Sequence, residues 1–141
     1  MIKDKYFEQL KKKDIVILYS EPGTWSEEEQ QISMKEVQIR IDEFKKIGFK
    51  SKPMKIDENN IRDLGKLDPK KTVVFNWCEG FGDDDYDYFT VPAALDKHGI
   101  PYGGGTPESL RLTADKEETK EVLLKAKVST PRSKVYRGND A

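Results

Sequence analysis

The sequence has 141 residues, enough for one domain and too few for two independent cores. Its 35% hydrophobic and 36% charged residues make it more charged than an average globular domain at about 25%, while its 10% aromatics and its Ile, Leu and Val exclude a disordered chain. A net charge of -1 gives no long-range field for nucleic acid or an anionic membrane, and one cysteine and one histidine exclude an intrachain disulfide and any site needing two imidazoles.

The N-terminus, Met1-Ile2-Lys3-Asp4-Lys5-Tyr6, carries charges where a signal peptide needs an apolar stretch, and no run approaches the roughly 18 apolar residues of a membrane span. These features predict a cytoplasmic protein with no nucleic acid and no membrane among its partners. Residues 1–13 read as a polar, Lys-rich N-terminal extension. Ile15-Val16-Ile17-Leu18-Tyr19 is then a continuous apolar run, which suits a strand covered on both faces. Glu21-Pro22-Gly23-Thr24 is a turn, and Ser26 with Glu29 has the form of a capping box. Met34, Val37, Ile41 and Phe44 form one stripe of the helix that this box opens; it runs to about Lys46, with Gly48 placed to end it.

Residues 51–56 predict a weaker strand, and Pro53 places it near a sheet edge. Residues 57–67 suit a short polar helix, and Thr72 to Trp77 a second buried strand followed by a glycine-bearing loop. A helix from about Tyr86 to His98 turns Phe89, Ala93 and Leu95 inward, with Pro92 in its first turn or at a kink. Ile100-Pro101-Tyr102 is a very short strand entering Gly103-Gly104-Gly105. Thr106 before Pro107 is an N-cap, and Asp115 with Glu118 a second one, opening the helix that bears Val122, Leu123 and Leu124. Ser133 to Tyr136 is one further strand candidate. Alternating strands and helices predict a three-layer α/β fold, a parallel Rossmann-like sheet with right-handed crossovers and helices on both faces.

Ligands of such sheets bind beyond the carboxyl ends of the strands. Those ends deliver Ser20 to Trp25, Trp77 to Asp83 and Tyr102 to Gly105. Their glycines either admit a ligand close to the backbone or simply make tight turns. The run Asp83-Asp84-Asp85 lacks the spacing of a calcium loop and reads as a solvated loop before a helix. Cys78 is a nucleophile only with a base beside it, and His98, the one imidazole, belongs at the far end of the next helix. Lys116 and Lys120 share one helix face, to meet phosphate or to pair with Glu117, Glu118 and Glu121. These residues make no metal site and no catalytic group.

Five segments occur in a telling order: Val73-Val74-Phe75-Asn76-Trp77-Cys78-Glu79-Gly80, Val91-Pro92-Ala93-Ala94-Leu95, Gly99-Ile100-Pro101-Tyr102-Gly103-Gly104, Asp115-Lys116 with Thr119-Lys120, and Val128-Ser129-Thr130-Pro131. Together they resemble the D-alanine-D-alanine ligase-like branch of the ATP-grasp enzymes over residues 14–135. The resemblance implies a pre-ATP-grasp α/β domain at 14–113, then a connecting helix and the start of an ATP-grasp domain at 114–141. Such ligases activate a carboxylate as an acyl phosphate with ATP and magnesium, and an amine then attacks it. The nucleotide pocket and magnesium ligands of the family lie in the ATP-grasp core, which does not fit after Pro131. The chain alone is therefore expected to be inactive and to bind neither cofactor.

The resemblance puts Gln31, Asn76, Glu79, Gly80 and Tyr102 toward a small, amino-acid-like substrate and Lys116 nearer the nucleotide. Its implied partner is a downstream ATP-grasp domain, and it leaves room for a homodimer. Two positions depart from the ligases proper. Gln31-Ile32-Ser33 stands where they have E-V-S, which forfeits a charge-assisted bond to the substrate ammonium. Glu79 before Gly80 replaces the histidine of their H-G, giving the N-x-x-E-G form of ligase-like relatives and reversing the charge that the pocket prefers. The competing reading is a stand-alone, non-catalytic α/β module that binds a ligand or a partner.

Overall fold

The computed structural model describes residues 2–78, 80–81 and 87–135, with side chains from residue 5 onward. In chain order the elements are α1 (Ile2–Leu10), β1 (Asp14–Tyr19), α2 (Glu27–Lys46), β2 (Lys50–Lys55), a 3-10 helix (Ile61–Lys66), β3 (Thr72–Asn76), α3 (Thr90–Lys97), β4 (Tyr102–Gly103), α4 (Pro107–Ala114) and α5 (Lys116–Lys125). The four strands form one parallel sheet in the order β2-β1-β3-β4. Ile15 lies beside Ser51 on one side and Val73 on the other, and Leu18 lies between Met54 and Asn76. This is the three-layer α/β fold that the alternation predicts. Pro53 sits on the edge strand β2, where a missing N–H leaves no gap in a central ladder.

β1 is central, which is why its run is apolar without alternation: one set of its side chains meets one covering layer and the other set the opposite layer. Val16 and Leu18 join Val74, Ile56, Leu64, Val91, Leu95 and Ile100 in the core on the α3 side. Ile15, Ile17 and Tyr19 join Val37 and Phe49 on the α2 side, with Ile41, Phe44, Val73 and Phe75 packed against them. α4 follows β4 and packs against α3, and α5 packs against α4.

Local chemistry sets the ends of α2. Ser26 Oγ accepts from the Glu29 N–H at 3.3 Å while Glu29 Oε2 accepts from the Ser26 N–H at 2.7 Å, a complete capping box. At the other end Gly48 N–H donates to the Lys45 carbonyl and Phe49 N–H to the Phe44 carbonyl. Those two bonds form a Schellman motif with Gly48 at φ +88°, and the Phe44 and Phe49 rings meet edge to face at 6.0 Å. Thr106 and Asp115 cap α4 and α5 as their spacing predicts, Asp115 Oδ1 accepting from the Glu117 and Glu118 N–H groups.

Several elements differ from the sequence expectation. The polar N-terminal stretch contains the helix α1, anchored by Phe7 edge-on against Phe49 at 5.3 Å, with Lys11 over the Phe7 ring. The short polar helix is a 3-10 turn that buries Leu64 completely. α3 is shorter than expected; Tyr86, its expected start, lies outside the described residues. Its buried residues are Val91, Pro92 and Leu95, whereas Ala93 is exposed and Phe89 half-buried, because the stripe 91/92/95 faces the sheet. Pro92 falls in the first turn, where no intrahelical N–H bond is lost. Residues 133–135 form no strand, and Tyr136 lies outside the described residues. Among the described residues no helix is long and apolar enough to cross a membrane.

Candidate functional site

β2 lies to one side of β1 and β3 to the other, so the strand order reverses between β1 and β3. The connections on either side of that reversal leave on opposite faces, which opens a crevice beyond the strand ends. A cleft of about 350 Å³ occupies this place. Ser20 and Trp25 reach it from the β1 end and Trp77 from the β3 end, while Glu29, Ile32, Ser33 and Glu36 reach it from α2.

Each wall is held in place. The ladder runs one step past β3, Trp77 N–H donating to the Leu18 carbonyl at 2.9 Å. Trp77 continues the alternation of Val73 and Phe75, so its indole lies parallel to the Phe75 ring at 6.1 Å. The Arg40 guanidinium lies 4.5 Å over that indole and pairs with Glu36 at 2.9 Å. A turn places the Trp25 N–H on the Pro22 carbonyl, and the Gln30 amide donates to the Trp25 carbonyl at 3.2 Å. Glu21 pairs with Lys55 across the end of β2, fixing the start of the same loop; that hydrogen bond raises the Lys55 pKa. Backbone and hydroxyl hydrogen bonds from Ser26 hold the Glu29 carboxyl below the ordinary glutamate range, so it is anionic at neutral pH.

The residues singled out in the sequence are distributed over several places. Gln31 lines a shallow groove on the other flank of α2 with Glu21, Met34 and Lys35, while its neighbours Ile32 and Ser33 line the crevice. Asn76 is half-buried at the β3 end, and its side-chain oxygen accepts from the Cys78 N–H at 3.3 Å, an Asx-type turn. Gly80 is buried with φ +99°, a conformation L side chains rarely adopt. Glu79 lies outside the described residues, as does the acidic run Asp83-Asp84-Asp85.

Tyr102 packs against the core on the α3 side. Burial first, then the charge of Asp96 and a hydrogen bond to its carboxylate, raise the Tyr102 pKa. It thus faces away from the α2 layer that carries Gln31 and Ser33.

Lys116 opens α5 on the surface and belongs to neither crevice. Lys120 donates to the Pro131 carbonyl, Glu118 pairs with Arg111 and Glu121 with Lys125. Among the described residues no three His, Cys, Asp or Glu side chains converge for a metal.

Trp25 and Trp77 were legible as residues at strand ends; Glu36 and Arg40 were not singled out. Their signal is the spacing 29, 32, 33, 36, 40, a stripe that is polar except for Ile32 and lies beside the core stripe Val37, Ile41 and Phe44.

No protein-family model matches the chain. The uncharacterized protein y4sG of Sinorhizobium fredii is 37% identical over 65 residues, which are 46% of this chain and 19% of that protein. The match therefore spans about a fifth of the length of that relative.

Proposed function

We propose that the chain is the substrate-side portion of an ATP-dependent carboxylate-amine ligase of the D-alanine-D-alanine ligase-like kind, acting in the cytoplasm. The observation that carries this reading is the crevice at the β1/β3 reversal: its Trp77 belongs to the first of the ordered ligase-like segments, and its Ser33 lies in the stretch that stands where the ligases have E-V-S. In this reading ATP and magnesium, bound by an ATP-grasp core, supply the activation of a carboxylate for attack by an amine. The chain's own part is to hold the first substrate: Ser20 and Ser33 offer hydroxyls, Glu29 and Glu36 offer negative charge, and the indoles exclude water.

A protein joining this chain to an ATP-grasp core tests the reading. Phosphate release from ATP should require both an amino acid and an accepting amine. Ligand binding without any phosphate release would favour the stand-alone binding module instead. In calorimetry, this chain alone should show no saturable heat with magnesium-ATP, and a sub-micromolar dissociation constant would overturn the division of labour.

A further inference from the structure

We propose that the β1/β3 crevice selects an ammonium group carried on an apolar body, an aromatic or large aliphatic amine rather than a small one. The word substrate in this inference rests on the ligase reading; the ligand chemistry rests on the crevice alone.

The sign of the charge comes first. Glu29 and Glu36 both line the crevice, and the cation beside them, Arg40, is already engaged by Glu36 and the Trp77 ring. The Ser26 bonds to Glu29 fall on Oε2, and the Arg40 bond to Glu36 falls on Oε2, so each carboxylate keeps a second oxygen with accepting capacity. An anion entering here would meet two carboxylates against one committed guanidinium. A cation would meet the reverse.

The body of the ligand follows from the other walls. Trp25, Trp77 and Ile32 present two indoles and an aliphatic side chain; with Phe75 and Arg40 already on the Trp77 ring, that indole offers apolar contact while Glu29 and Glu36 meet the charge. Trp77 is 37% exposed although it is stacked on Phe75 and covered by Arg40, which leaves a fixed apolar wall open to the crevice. A volume of about 350 Å³ falls at the small end of ligand sites, enough for one amine of this kind. An amino acid held in this way would leave its carboxylate pointing away from Glu29 and Glu36.

The chain carries its own reporter, because its two tryptophans both line this crevice. Titration of the intact chain with 2-phenylethylamine should give a saturable change in tryptophan emission. 3-Phenylpropionate, the same body with the opposite charge, should give none, and ethylamine, the charge without the body, only a weak one. Glu36 is partly exposed, so Glu36→Gln should weaken phenylethylamine binding about 2- to 5-fold with an unchanged melting temperature. Equal binding of phenylpropionate, no emission change with phenylethylamine, or full affinity in both Glu36→Gln and Glu29→Gln would overturn the proposal. Amine binding without ATP-dependent phosphate release in the joined protein would sink the ligase reading and leave this site standing. Phosphate release that needs only small amino acids, with silent tryptophans, would do the opposite.

Discussion

The two faces of the sheet are finished differently. On the α3 side the centre of the core is sealed: Val16, Leu18, Val74, Leu64 and Leu95 are all at 0% exposure. On the α2 side the helix lies over β2 and β1, so Ile15, Ile17 and Val37 are sealed while Val73 and Phe75 on β3 are only half-buried and Trp77 is exposed. The covering layer ends where the strand order reverses. The open surface is shared out: Trp77 walls the crevice, whereas Val73 and Phe75 line a separate apolar pocket of about 190 Å³ with Phe44 and Phe49.

This contrast is sharpest in paired truncations. Leu95→Ala on the closed face removes a fully buried side chain and should cost about 2–5 kcal/mol in chemical denaturation. Val73→Ala on the open half removes two half-buried carbons and should cost under about 1 kcal/mol. Equal losses would mean that the open half is as tightly packed as the closed one. Next in size is Gly48→Ala, which forces a side chain to φ +88° at the end of α2 and should cost roughly 1–2 kcal/mol.

The smallest effect concerns the start of α2, at the crevice mouth. The folded Glu29 pKa is lowered, so its contribution is fully present above the ordinary glutamate value and is lost as pH falls through its own lowered value. Carbon-detected NMR titration should place Glu29 below the ordinary glutamate value, and Ser26→Ala should return it toward that value. A Glu29 that titrates at the ordinary value would contradict the capping box.

Much of the fold was readable because local signals agreed with tertiary placement. The run 15–19 is apolar without alternation because β1 is covered on both faces, the run 72–77 is apolar enough to mark β3 although only one face of that strand is fully covered, and Ser26, Glu29 and Gly48 bracket α2. α1 was not readable, since its polar composition conceals that Phe7 ties it to Phe49. The site was readable only as far as the strand ends. Which flank of α2 meets the crevice depends on helix phase, where one residue is about 100°; that single step separates Gln31 from Ile32. Tyr102 shows the same limit in a strand of two residues, too short for alternation to tell which face its ring takes.

The central claim is that the reversal between β1 and β3 is the ligand site, and proton-nitrogen NMR of the intact chain with 2-phenylethylamine tests it most directly. The indole N–H signals of Trp25 and Trp77 and the amides of Ser33 and Glu36 should shift together on one binding curve, while Leu64 and Leu95 on the closed face stay still. Shifts centred on α4 and α5, or indole signals that do not move at saturation, would contradict it.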